Sequence, residues 1–100
     1  MKKIILHQAY EELNGAVEYY EKRQAGLGLR MIHEFDKHVK WIMQNPGVIR
    51  IRKGGYQRIN LKIFPYYIAF MIHNDTLWIL AIAHGYRTPE YWIKRSNEIT

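Results

Sequence analysis

Residues 46–100 hold eight basic side chains (Arg50, Arg52, Lys53, Arg58, Lys62, Arg87, Lys94 and Arg95) against three acids, a balance of +5. Residues 1–45, with seven basic and six acidic side chains, carry only +1, and no acid occurs between Asp36 and Asp75. Nine of the fourteen aromatic residues also fall in the basic part. Such a half fits an anionic partner, nucleic acid or an acidic protein, although a solvated basic face has the same composition. Arg58 and Lys62 recur on one side of an alternating segment, a spacing that can clamp a phosphate. His84 closes an apolar run, and imidazole titrates near 6.5, which is apt for acid–base work. The other histidines form no metal set. His33 and His38 are five apart and point in different directions on a helix, while His7 and His73 stand alone. Cysteine is absent, which excludes a disulfide framework and a thiolate nucleophile. No P-loop spacing occurs, so neither metal nor cofactor is expected.

The elements that position these residues follow from periodicity. Lys3 to His7 predicts a short strand. From about Gln8 to Gln24, Ala9, Leu13, Ala16, Val17 and Tyr20 make one helical stripe, with Glu18 and Lys22 paired on the wet side. Gly26 and Gly28 break it with a tight turn. Leu29, Ile32, Phe35, Val39, Ile42 and Met43 form a second stripe that ends before Asn45-Pro46-Gly47. Gln57 to Ile63 alternates, with Ile59, Leu61 and Ile63 on one side and Arg58, Asn60 and Lys62 on the other. Tyr66–Ile72 and Leu77–Ala83 are apolar runs joined by His73-Asn74-Asp75-Thr76, a hairpin signature. As a single membrane helix, Ile63–Ala83 would bury Asp75 in the bilayer and carry Pro65, so the hairpin is the better reading. Thr88, Pro89 and Glu90 predict a short terminal helix within Tyr86–Arg95.

The expected architecture is α+β: an N-terminal strand and a helix hairpin packed on a twisted antiparallel β-sheet, with a short C-terminal helix. One hundred residues, 48% of them hydrophobic, make one domain over residues 1–100. Met1-Lys2-Lys3 and three apolar residues do not make a signal peptide, so the cytoplasm is expected. The two runs of the hairpin are apolar on both faces, and two helices cover one. Ten terminal residues are expected to leave part of the other bare for a partner.

One string is more specific than this outline. Arg58, Leu61, Phe64-Pro65-Tyr66, Ile68 and Phe70, then Ala81-Ile82-Ala83-His84, then Arg87, Pro89, Tyr91-Trp92 and Arg95, resembles the RelE/ParE superfamily of type II toxins. Tyr19-Tyr20 and Pro46 extend the similarity over nearly the whole chain. The resemblance implies a cytoplasmic bacterial toxin, associated with growth inhibition and plasmid stabilisation, that is held in a hetero-oligomer by a cognate antitoxin. RelE-like members cleave messenger RNA on the ribosome, whereas ParE-like members poison DNA gyrase. A RelE-like reading makes His84, Arg87 and Tyr91 the catalytic residues. In either reading Arg50, Arg52, Lys53, Arg58, Lys62, Arg87 and Arg95 would bind the target or its nucleic acid. RelE-type members carry a catalytic arginine at about Tyr67, and phenol cannot hold a phosphate charge. The Phe-Pro-Tyr and Tyr-Trp signatures also favour the ParE-like branch.

Duller roles stand beside these. His84 could cap the sheet, Tyr91 and Trp92 could pack a terminal helix, and Arg95 could lie over Trp92. A third function, generic nucleic-acid binding through the basic set with Tyr56 stacking, predicts steep salt dependence on any polynucleotide. For the antitoxin, the expectation is apolar anchors on the uncovered sheet face and acids opposite Arg50, Arg52, Arg58 and Lys62.

Overall fold

The computed structural model describes residues 1–99; Thr100, the last residue of the expected domain, lies outside them. The chain runs β1 (Lys2–Ile5), α1 (His7–Arg23), α2 (Leu27–Gln44), β2 (Gln57–Asn60), β3 (Tyr66–His73) and β4 (Thr76–His84). It ends in two 3-10 segments, Pro89–Tyr91 and Ile93–Glu98. The strands form one sheet in the order β1-β4-β3-β2. The α+β class is as expected, with two differences in detail. β1 lies parallel to β4, with Lys2 opposite Thr76 and Ile5 opposite Ile79, so the sheet is mixed. A parallel pair needs a long crossover, and here everything from α1 to β3 supplies it. The expected terminal helix is broken at Trp92, where φ is −136° and the side chain turns into the core.

The hairpin forms where turn chemistry placed it. Asn74 and Asp75 make a two-residue connection with φ of 52° and 55°, a left-handed geometry those two residue types tolerate. β2 is shorter than its alternation. Lys62 and Ile63 turn their backbone N–H groups to the Glu34 carboxylate, at 2.6 and 3.2 Å, and Pro65 has no N–H to give. The strand ends at Asn60, and one last backbone bond, from the Leu61 N–H to the Tyr66 carbonyl at 2.9 Å, closes the ladder before Lys62. Ile63, expected on the apolar side, is exposed, and Lys62 lines a groove with Ile59 while Arg58 lies over Tyr67, so the two cations do not share a face.

Helix α1 buries Ala9, Leu13 and Ala16, as its spacing predicts. Helix α2 is rotated from its expected stripe. Phe35, Val39 and Ile42 are buried, but Met31, Glu34 and His38 join them while Leu29 and Ile32 face out. The Glu34 contact with Lys62 and Ile63 accounts for the rotation, because that carboxylate is buried facing the sheet side. Between the helices Gly26 takes φ of 95°, and Glu21 accepts the N–H groups of Gly26 and Gly28 at 3.0–3.1 Å. Gly28 also permits close packing: a Cβ there would stand 3.0 Å from the Val17 carbonyl oxygen.

Tyr66 packs against Tyr20 of α1, and Tyr67, one residue on, packs against Trp92, so the two lie on opposite faces. The second face is better covered than expected. Trp92, 1% exposed, meets Tyr56 edge-on, and Tyr67, Ala69, Ala81 and Ala83 are all buried. The loop before β2 and the terminal segment close this face together, which the terminal segment's length alone did not reveal. The bare sheet face expected for a partner is therefore absent around Tyr67.

Candidate functional site

β4 outlasts its neighbour β1, which ends at Ile5 opposite Ile79. The backbone left over is taken up by one ion pair. Arg95 donates to both Glu12 carboxylate oxygens at 2.9 and 3.0 Å and to the Leu80 carbonyl at 3.0 Å, and Glu12 accepts the Ile82 N–H at 3.1 Å. Both side chains are about 85% buried, at 14% and 15% exposure. A bidentate guanidinium–carboxylate pair with extra backbone partners is the arrangement that repays desolvation. Arg95 is thereby a clasp joining the terminal segment to α1, and its cation is already neutralised within the fold.

Beside the clasp lies a cleft of about 250 Å³ lined by Glu12, Tyr66, His84, Arg87 and Tyr91 among others. The three residues proposed for catalysis, His84, Arg87 and Tyr91, thus meet in one place. Arg87 is exposed, with its guanidinium 4.6 Å from the Tyr91 ring centre. The His84 ring stacks on Tyr86 at 5.4 Å and meets Tyr66 edge-on at 5.5 Å. Its Nδ1 accepts the Tyr86 N–H at a long 3.5 Å, which in the neutral ring assigns the proton to Nε2. A second cleft of about 430 Å³ shares Tyr66 and His84 and adds Tyr19, Tyr20, Arg23 and Pro65.

Three phenols of these clefts, Tyr20, Tyr66 and Tyr91, have their pKa raised. The Tyr91 pKa is raised by its hydrogen bond to Glu12, then by burial and the Glu12 charge, with Arg95 pulling the other way. The Tyr66 and Tyr20 hydroxyls are pushed up chiefly by burial. The cleft therefore presents hydrogen-bond donors and the Arg87 cation, and Glu12 is committed to its clasp. His84 is the imidazole of the cleft, and its Nδ1 is the nitrogen that meets the Tyr86 N–H.

The other basic residues do not gather at this cleft. Arg58 lies over the Tyr67 ring at 3.8 Å and donates to Asn60 Oδ1 at 3.1 and 3.3 Å. Arg50 and Lys53 are exposed on the loop before β2. Arg52 is half-buried in that loop, where its backbone pairs with Tyr56 and its Nε has no partner among the described residues. Lys62 lines a separate groove against α2. The sequence reading missed Glu12 and Glu34. Each looks like an ordinary polar position of an amphipathic helix, and its partners lie 28 or more residues away.

No protein-family model and no curated protein matches the chain in sequence. A solved structure described as "Chromosomal ParDE TA system from P. aeruginosa" contains a chain that superposes at a TM-score of 0.72. The match covers 84% of this chain and 95% of that one, at 19% identity. The chain has a RelE/ParE-like fold. Within that fold the helix hairpin lies on one face of the sheet, the Trp92 plug closes the other, and the His84 cleft opens where β3 and β4 meet α1. No helix among the described residues is long and apolar enough to cross a membrane. No group of three or more His, Asp or Glu side chains that could hold a metal occurs among them either.

Proposed function

We propose that the chain is the toxin of a type II toxin–antitoxin pair, that it arrests growth by inhibiting DNA gyrase, and that a cognate antitoxin neutralises it. The fold supports the pairing, because the structural neighbour comes from a ParDE toxin–antitoxin system. Tyr67 carries the choice of target. It stands at about the place where the resemblance puts a nuclease arginine. Its hydroxyl donates to the Arg87 carbonyl at 2.9 Å and accepts from Trp92 Nε1 at 2.8 Å. That side chain is fully buried and spoken for, so it can neither hold a scissile phosphate nor move a proton to one.

Expressed alone in a bacterium, the chain is expected to stop growth, and the product of the neighbouring reading frame is expected to restore it. Purified protein should inhibit gyrase supercoiling, stabilise cleaved DNA and leave ribosome-bound message intact. High-level expression of soluble, folded protein with normal growth would overturn the proposal.

One observation favours a second reading: His84, Arg87 and Tyr91 do share a cleft. Ribosome-dependent mRNA cleavage that disappears in His84→Ala would establish it in place of gyrase inhibition.

The exposed Arg87 separates function from fold in either case. Arg87→Ala should abolish growth arrest while stability stays within about 0.5 kcal/mol. Arg58→Ala should also abolish arrest, with an added loss of about 1 kcal/mol for its stacking on Tyr67. Thermal melts run beside the growth assay read both, and a folded Arg87→Ala that still arrests growth removes the cleft from the mechanism.

A further inference from the structure

Trp41 lies on α2 outside the core, with 39% of its surface open. It lines a groove of about 690 Å³ between α2 and Ile59 of β2, and β2 is an outer strand of the sheet. Lys37, Lys40 and Lys62 also line this groove, and Asp36 is the one acid among its lining residues. The rim is cationic and the floor is apolar. A nucleic acid would meet the lysines through its phosphates and stack a base on Trp41, but it would leave the aliphatic Ile59 without a complement. A second copy of a chain that is itself +6 would bring a like charge.

We infer that this groove docks an acidic segment of the partner protein, with one large apolar side chain seated between Trp41 and Ile59 and carboxylates facing Lys37, Lys40 and Lys62. The inference takes the partner from the function proposed above and adds where and by what chemistry it is held. A tryptophan at the centre of a groove is the kind of residue on which binding free energy concentrates, while rim charges chiefly set association rate and salt sensitivity. The position also differs from the one the sequence pointed to. The sheet face near Arg58 is closed by Trp92, and Lys62 turns toward α2 instead.

The test uses the full chain and a phage-displayed library of random peptides. Enriched peptides are expected to combine several acids with one aromatic or large aliphatic residue and to bind less tightly as salt rises. Trp41→Ala should weaken them about tenfold or more. Lys37→Glu with Lys62→Glu should slow association and flatten the salt dependence. Because these side chains lie outside the core, a thermal melt should show each variant folded.

The docking site would be overturned by enriched peptides without acids, by binding indifferent to Trp41→Ala, or by a concentration-dependent dimer of the chain that Trp41→Ala dissolves. Displacement of the peptides by a single-stranded oligonucleotide would assign the groove to nucleic acid and overturn it equally. The growth assay keeps the two claims apart. Growth arrest with no peptide binding in the groove removes this inference alone. Groove binding without growth arrest supports it and removes the toxin assignment alone.

Discussion

Trp92→Ala is expected to cost about 3–5 kcal/mol of unfolding free energy, the range for emptying a large aromatic site in a core. The indole is 1% exposed, is set edge-on to Tyr56 at 4.7 Å, and has Tyr67 at 6.4 Å. Its removal opens a cavity against the sheet and takes away the donor that Tyr67 accepts. Trp92→Phe separates the two losses. It keeps most of the packing and gives up the 2.8 Å hydrogen bond, for about 1 kcal/mol plus the smaller ring's deficit. Urea unfolding of the three proteins measures this. A Trp92→Ala variant as stable as the parent would mean that the terminal segment does not seal the second face.

Glu34→Ala should be the next most damaging change, at about 2–3 kcal/mol, since it strips the acceptor from two backbone N–H groups at once. The same carboxylate sets a pH dependence. Burial alone would raise its pKa, but the N–H groups of Lys62 and Ile63, with help from His38 and Lys37, outweigh burial and leave it below the ordinary carboxylate value. A lowered folded-state pKa means that the unfolded chain takes up the proton first as pH falls. The stabilisation is therefore complete above the unfolded value of about 4.3 and is lost as pH drops through the folded value. Denaturant midpoints from neutral pH down to acid should show the parent converging on Glu34→Gln, whose amide accepts a hydrogen bond but does not titrate here. A gap between them that persists in acid would mean that the charge is not what holds the loop.

What the sequence made legible was local. The β3–β4 hairpin was readable because Asn74-Asp75 is a turn made by two adjacent residues. The core stripe of α1 was readable because Ala9, Leu13 and Ala16 are small or apolar at helical spacing, with no competing stripe. α2 offered two stripes, and hydrophobicity chose Leu29 and Ile32. The protein chose Met31 with Glu34 because a buried acid is tolerable once Lys62 and Ile63 supply it with N–H donors. Nothing near Glu34 in sequence announces those donors. At the site, His84, Arg87 and Tyr91 lie close together in sequence and were found together. Arg95 belonged with Glu12, 83 residues away, and was grouped with the free cations instead. Lys62 failed for a third reason: alternation continued past the point where Glu34 ends the strand.

The pairing of β1 with β4 also dictates an order of events at the ribosome. Lys2 is made well before its neighbour Thr76, with both helices and two strands between them. The helix hairpin can form while the chain is still emerging, but the sheet cannot close on β1 until β4 is out of the exit tunnel. Trp92 and Arg95, which plug and clasp the sheet, emerge later still. For most of its synthesis the polypeptide is thus a helix pair with unpaired strands, and closing its long-range contacts is the slow part of its folding. The surface that carries the His84 cleft, built from both ends of this long-range pairing, therefore exists only once all of these segments have emerged.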